Sequence, residues 1–162
     1  YIQKADIGRI TKMAIPHLIK AGYITEKDAE ERYEWLEDMV LAIRERLDYV
    51  SQIVDKVDIF FKDEIVPDEG EAMEILKLEH IPHLLDVLHE KISNAETIDI
   101  ASIKKIFKEI QKEEGYKGPK LFKPIRVALT GSAQGPDLPL IMQIMGRENL
   151  LSRIEYTQKN LI

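Results

Sequence analysis

From residue 29 to residue 61 the apolar side chains Ala29, Tyr33, Leu36, Val40, Ile43, Leu47, Val50, Val54, Val57 and Phe61 step by four and three without a miss. Only an α-helix gathers that spacing onto one face; a strand, with its period of two, would scatter the same residues over both. An unbroken helix of that length is unusual outside coiled coils, and Asp48 and Ser51 can cap, so the stripe predicts two successive helices with a break near 48–51.

The remaining punctuation is also helical. Asp6 can cap a helix through Ile7, Ile10, Met13 and Ala14, with Pro16 kinking or restarting it before the stop at Gly22. Thr25 and Asp28 have capping-box spacing, in which hydroxyl and carboxylate each satisfy an orphan amide of the first turn. The acidic stretch from Lys62 to Gly70, KDEIVPDEG, is the best linker, and divides the chain into 1–66 and 67–162. Beyond it, residues 72–78, 81–92 and 100–114 read as helices, and Pro124 marks the start or a kink of a short helix over 121–129. Asp137 caps 138–145, Gly146 ends that segment, and 148–159 closes the chain. Few segments alternate as strands do. The expected class is all-α, as two consecutive small helical bundles.

Composition bounds the function. The 162 residues are 44% hydrophobic and 32% charged, enough to bury a core. No apolar run approaches the ~20 residues of a membrane span and no secretory signal leads the chain, so a soluble, cytoplasmic, monomeric protein is expected. Tyr1 in place of Met points to a piece of a longer protein. The net charge of −6 argues against a polyanion partner only on average. Residues 24–114 carry 12 basic against 25 acidic side chains, whereas 115–136 carry Lys117, Lys120, Lys123 and Arg126 and no acid. One reading of the acidic middle is a helical protein-interaction module with an acidic face.

Nothing in the chain looks catalytic. The serines lack a nucleophile elbow and there is no phosphate loop. Glu113 and Glu114 are adjacent, so on a helix they diverge by roughly 100°. His80 and His83, near Glu79 and His89, have ligand-like spacing, but Pro82 interrupts it and no HExxH pattern supplies a base, so no metal site is expected. The stretch from Gly115 to Leu138 differs in character. It is rich in turns, holds four of the eight glycines and is uniformly basic. Exposed backbone groups can bond the edges of unstacked bases, while lysines meet phosphates and an arginine offers a planar donor fork. A loop between helices needs glycines in any case, so the pattern alone leaves both readings open.

The segment KGPKLFKPIRVALTGSAQGPDL, followed by IMGRENLLSRI, resembles the C-terminal anticodon-binding region of bacterial-type glutamyl-tRNA synthetases. The matching positions are Gly115, Lys117, Gly118, Pro124, Arg126, Ala128, Leu129, Thr130, Gly131, Gly135, Pro136, Gly146, Arg147, Glu148 and Arg153, with Met145 where that family usually has Leu. The start of the chain is similar to the segment after that family's W-x-N-x-x-Y-I motif, so the resemblance spans nearly the whole chain. It implies an all-α tRNA-reading part whose second bundle cages the anticodon loop. It implies glutamate tRNA as partner, with glutamine tRNA as a second candidate, and neither DNA nor membrane. ATP and Mg²⁺ belong to a catalytic domain whose HIGH-type and KMSKS-type motifs do not occur here, so the chain alone is expected to be non-catalytic and to bind no cofactor.

Carried over by position, the resemblance gives Arg126 a contact to the first anticodon base. It aims the backbone at Gly135 and Leu138 toward the anticodon, with Pro136 shaping that turn; some relatives have Thr where this chain has Gly135. Lys117, Lys120 and Lys123 are candidate phosphate contacts. Arg46, 14 residues before Phe60, is the match for the arginine that reads the third anticodon base, with Arg44 as the alternative.

Overall fold

The computed structural model describes residues 7–43, 52–53, 60–61 and 65–162; Asp6, Arg44, Arg46, Asp48 and Ser51 lie outside them, and with them the expected break near 48–51. The described residues form helices with no strand. The chain divides into two compact units, 1–62 and 63–162, a boundary slightly ahead of the expected one.

The first unit contains α1 (Ile7–Lys20), α2 (Glu26–Glu31) and α3 (Tyr33–Ile43), with α1 and α2 both packed on α3. Its core is Ile10, Ala14 and Leu18 with Leu36, Met39, Val40 and Ile43, each at most 1% exposed. Full burial of such a side chain stabilises by roughly 1.5–3 kcal/mol. α1 runs through Pro16 without ending. The capping box at the start of α2 is present in both directions, Asp28 N–H to Thr25 Oγ1 at 3.1 Å and Thr25 N–H to the Asp28 carboxylate at 3.0 Å. These bonds hold the Asp28 carboxyl below its ordinary range. The stripe conceals one feature. Arg32 leaves helical geometry, with φ −118° and ψ 30°, and separates α2 from α3. Its amide still donates to Asp28 O and its carbonyl still accepts from Leu36 N–H, so the bend breaks neither the bonding nor the apolar spacing.

The second unit contains α4 (Glu71–Leu76), α5 (Ile81–Asn94), α6 (Ile100–Glu114), α7 (Pro119–Thr130) and α8 (Leu138–Asn160). α8 is the common partner of α5, α6 and α7, and α4 lies on α7. As expected, Gly146 interrupts α8, with φ 76° and ψ 166°. The core collects Leu84, Leu85, Leu88 and Ile92 of α5, Ile103 and Ile110 of α6, Leu121, Ile125 and Leu129 of α7, and Ile141, Met142, Leu150 and Ile154 of α8. Lys91 of α5 donates to Glu113 at 2.7 Å and Glu109 at 3.1 Å on α6; both carboxylates, Glu113 first, push its pKa up. The supposed linker is partly built into this unit. Ile65 is 3% exposed, and Asp68 N–H donates to Gly131 O at 2.7 Å.

Gly115 and Gly131 end α6 and α7 in the left-handed region, at φ 77° and 81°. They differ in surroundings. A Cβ on Gly115 would meet open space, whereas on Gly131 it would run into the carbonyl of Val66. Gly115→Ala should therefore cost about 1 kcal/mol, the steric penalty of the conformation alone. Gly131→Ala should cost at least twice that, because the 65–68 segment must also move and its bond to Gly131 weakens. Urea denaturation of the two variants checks the order, and equal losses would mean that the Val66 contact carries no energy.

Candidate nucleic-acid interface

α7 buries Leu121, Pro124, Ile125, Ala128 and Leu129, which leaves its other face to carry charge. Lys120, Lys123 and Arg126 follow Lys117 at three-residue steps, each rising about 4.5 Å along the axis within the helix. They form a cationic ridge that winds from the exposed start of the helix to its half-buried end. The freedom from acid is a property of the sequence only. Glu71, at the first position of α4, brings a carboxylate oxygen 2.5 Å from Lys123 Nζ. That ion pair, and then a hydrogen bond from Gln134, hold the Glu71 carboxyl below its ordinary range. Lys120 Nζ lies 5.4 Å from the centre of the Tyr116 ring.

At the far end of the ridge Arg126 meets the turn between α7 and α8. Its Nη1 donates to Pro136 O at 2.6 Å. Gly135 makes this approach possible, since a Cβ there would sit 2.9 Å from the same nitrogen. The turn is tied at both ends. Thr130 Oγ1 donates to Arg126 O at 2.8 Å and accepts from Ser132 N–H at 3.2 Å, and the Asp137 carboxylate caps α8 by accepting from Leu140 N–H at 3.4 Å. Arg126, Gly135 and Pro136 are thus brought together. Leu138 follows at the first position of α8 with its side chain 4% exposed, so only its backbone can face a ligand. Lys117 and Lys120 lie at the opposite end of the ridge beside Tyr116, and Arg46 and Arg44 lie outside the described residues.

The histidines have structural partners. Pro124 has no N–H to offer the carbonyl of Lys120, four residues earlier, and His80 Nε2 lies 2.9 Å from that oxygen. Because a carbonyl only accepts, Nε2 must carry the proton. His83 Nε2 lies 2.8 Å from Glu114, and His89 Nε2 3.5 Å from Glu155. Among the described residues no three His, Asp or Glu side chains converge as metal ligands.

Several polar residues around the turn had no assigned role in the sequence. Glu71 and Gln134 were invisible because their pairing joins residues far apart in the chain. Arg147 caps the end of α5, donating to Ile92 O at 3.0 Å, Ser93 O at 2.9 Å, Glu96 O at 3.2 Å and Ala95 O. Arg153, 5% exposed, donates to Leu129 O at 2.8 Å, and Thr157 Oγ1 donates to Ala128 O at 2.8 Å. A capping signal formed across more than twenty residues leaves no local pattern.

Residues 9–158 match the family model described as an anticodon binding domain. A glutamate–tRNA ligase of Alkaliphilus metalliredigens is 57% identical over 162 residues, which is all of this chain and 33% of that protein. One from Caldicellulosiruptor saccharolyticus is 47% identical over 96% of this chain and 32% of its own length, and one from Clostridioides difficile is 42% identical over 100% and 33%. The chain therefore spans about a third of the length of these curated relatives. The crystal structure of a glutamate tRNA ligase from Elizabethkingia meningosepticum in complex with its amino acid superposes with a TM-score of 0.85, covering 99% of this chain and 30% of that one. At 23% identity that likeness is one of fold.

The partnership of His80 with the carbonyl released by Pro124 can be measured as a coupling. His80→Phe should destabilise the chain by about 1 kcal/mol, the net worth of a hydrogen bond whose acceptor is left unmet. In a Pro124→Ala background the new amide can serve Lys120 O, and the same change should then cost markedly less. Additive losses in thermal melts of the single and double variants would contradict the assignment.

Proposed function

The chain belongs to the anticodon binding domain family, and we propose that it reads the anticodon of glutamate tRNA as part of a cytoplasmic, monomeric glutamate–tRNA ligase. In such an enzyme the remaining two thirds would join glutamate to tRNA with ATP and Mg²⁺, and this part would supply RNA recognition. The observation that carries the reading is Arg126, held by the carbonyl of Pro136 at the head of a cationic ridge and beside a turn of accessible backbone. Splayed anticodon bases are the form of RNA that proteins read by sequence, through backbone groups, planar side chains and phosphate contacts together. Lys117, Lys120 and Lys123 serve phosphates in this reading; Arg126 and the backbone at Gly135, Pro136 and Leu138 serve bases.

The net acidity of the chain favours a different class of function, a helical module that binds a basic protein through its acidic surface. Salt separates the two. Binding to tRNA should weaken with a linear fall of log affinity against log salt, reflecting the counterions released by each phosphate contact.

Arg126→Ala should weaken tRNA binding by about 1 to 3 kcal/mol if the arginine reads a base edge. Arg126→Lys keeps the charge and loses the planar fork, so it should lose most of the same affinity while leaving the salt slope unchanged. Glutamate activation in the full-length enzyme should be unaffected by either. Filter binding at matched salt decides, and full affinity in Arg126→Ala removes the residue from the site.

Arg46 carries the prediction on specificity. Glutamate and glutamine tRNAs differ at the third anticodon base, C in the first and G in the second. The pairing edge of C presents two acceptors to a guanidinium fork, whereas that of G presents donors. An arginine placed for C thus rejects G by burying donor against donor, at ~1 to 3 kcal/mol per unsatisfied group. Arg46→Gln should narrow the preference for glutamate over glutamine tRNA and Arg44→Gln should do so less. Charging assays on both tRNAs report the ratio; a loss confined to Arg44→Gln would transfer the role two residues upstream.

A further inference from the structure

We propose that Glu71 is an internal stand-in for phosphate: its carboxylate holds the place on the α7 ridge that an RNA phosphodiester takes on docking, and docking exchanges one anion for the other at Lys123. The inference rests on the RNA-binding reading above. Three observations carry it. Lys123 stands in the middle of the ridge, between Lys120 and Arg126, and is paired at 2.5 Å with an acid 52 residues away on another helix. The pair is open to solvent, with side chains 34% and 51% exposed. Exposed pairs of this kind gain little over hydration, so replacing the carboxylate by another anion is nearly free. Beside the pair lies a hollow of about 600 Å³, lined by Glu71, Leu78, His80, Pro119, Lys120 and Lys123, within the size range of ligand-binding clefts.

The same carboxylate also accepts from the side chain of Gln134, the residue before Gly135. An arriving phosphate that displaces Glu71 from Lys123 therefore also alters what holds Gln134 in the turn that carries Arg126. The arrangement ties backbone docking to the state of the base-reading turn. It also sets a threshold, because a weakly held anion must compete with a carboxylate already in place, whereas an RNA with several phosphates in register gains counterion release at each contact.

The test uses this chain and an RNA hairpin bearing the glutamate anticodon, with binding measured across a salt series. Glu71→Gln leaves Lys123 unpaired, so it should bind several-fold more tightly, and the salt slope should steepen by about 0.7, one added single-strand phosphate contact. Glu74→Gln, an exposed acid of the same helix that pairs with Lys77, controls for the loss of a negative charge and should give a smaller gain with an unchanged slope. Adding Lys123→Gln to Glu71→Gln should abolish the extra slope. Wild-type binding with Glu71→Gln indistinguishable from Glu74→Gln, or weaker than wild type, overturns the role of Glu71 alone. Failure of the wild-type chain to bind the hairpin overturns the RNA reading itself, and this inference with it.

Discussion

The guanidinium of Arg153 lies 5% exposed at the carboxyl end of α7, and the architecture of the second unit hangs on that placement. A helix ends with carbonyls that have no partner inside the helix, and burying them unmet costs more than the hydrogen bonds themselves would contribute. Here the deficit is met from three directions. Arg153 takes Leu129 O, Thr157 takes Ala128 O, and the amide of Asp68 takes Gly131 O. The positive charge also lies at the negative end of the α7 dipole, a favourable place for a cation that is otherwise costly to bury. With that end secured, the turn from Ser132 to Asp137 starts from a fixed point, and Arg126 has a fixed carbonyl to reach.

The charge distribution follows a related logic. The acidic middle is not uniformly solvated. Part of it is spent inside the second unit, where Glu109 and Glu113 enclose Lys91 and Glu114 meets His83. Part of it, Glu71, is placed against the one stretch of chain that contains no acid. A net charge of −6 is thus compatible with a locally cationic helix, because helices carry opposite charge on opposite faces and the sum does not record the faces.

Periodicity and caps made the helices legible. The Thr25 and Asp28 pair, the ends at Gly115 and Gly131 and the interruption at Gly146 are local signals, and each stands where the spacing of residues puts it. The bend at Arg32 was hidden because it preserves both the i to i−4 bonding and the apolar stripe, the two properties that a reading of spacing detects. In the interface, the basic segment and its glycines are visible as composition, but the partners that give them geometry are not. Glu71 reads as an ordinary first-turn acid and Gln134 as a loop residue. Arg147 and Arg153 read as members of a motif, with nothing nearby to reveal that they cap helices written far upstream. His80 invited a metal reading because its true partner, a carbonyl released by a proline 44 residues later, is a backbone atom and has no letter in the sequence.

That capping from a distance imposes an order on synthesis. Arg147 serves carbonyls as much as 55 residues earlier, and Arg153 and Thr157 serve carbonyls 24 and 29 residues earlier. As the chain leaves the ribosome, α5 and α7 emerge with their carboxyl ends facing water, and those ends cannot be enclosed until the second half of α8 follows. Contacts that wait on late residues carry the entropy of closing long loops, so nascent helices form early but the bundle closes in one late step. During translation the second unit thus remains an open template until its final helix has cleared the exit tunnel.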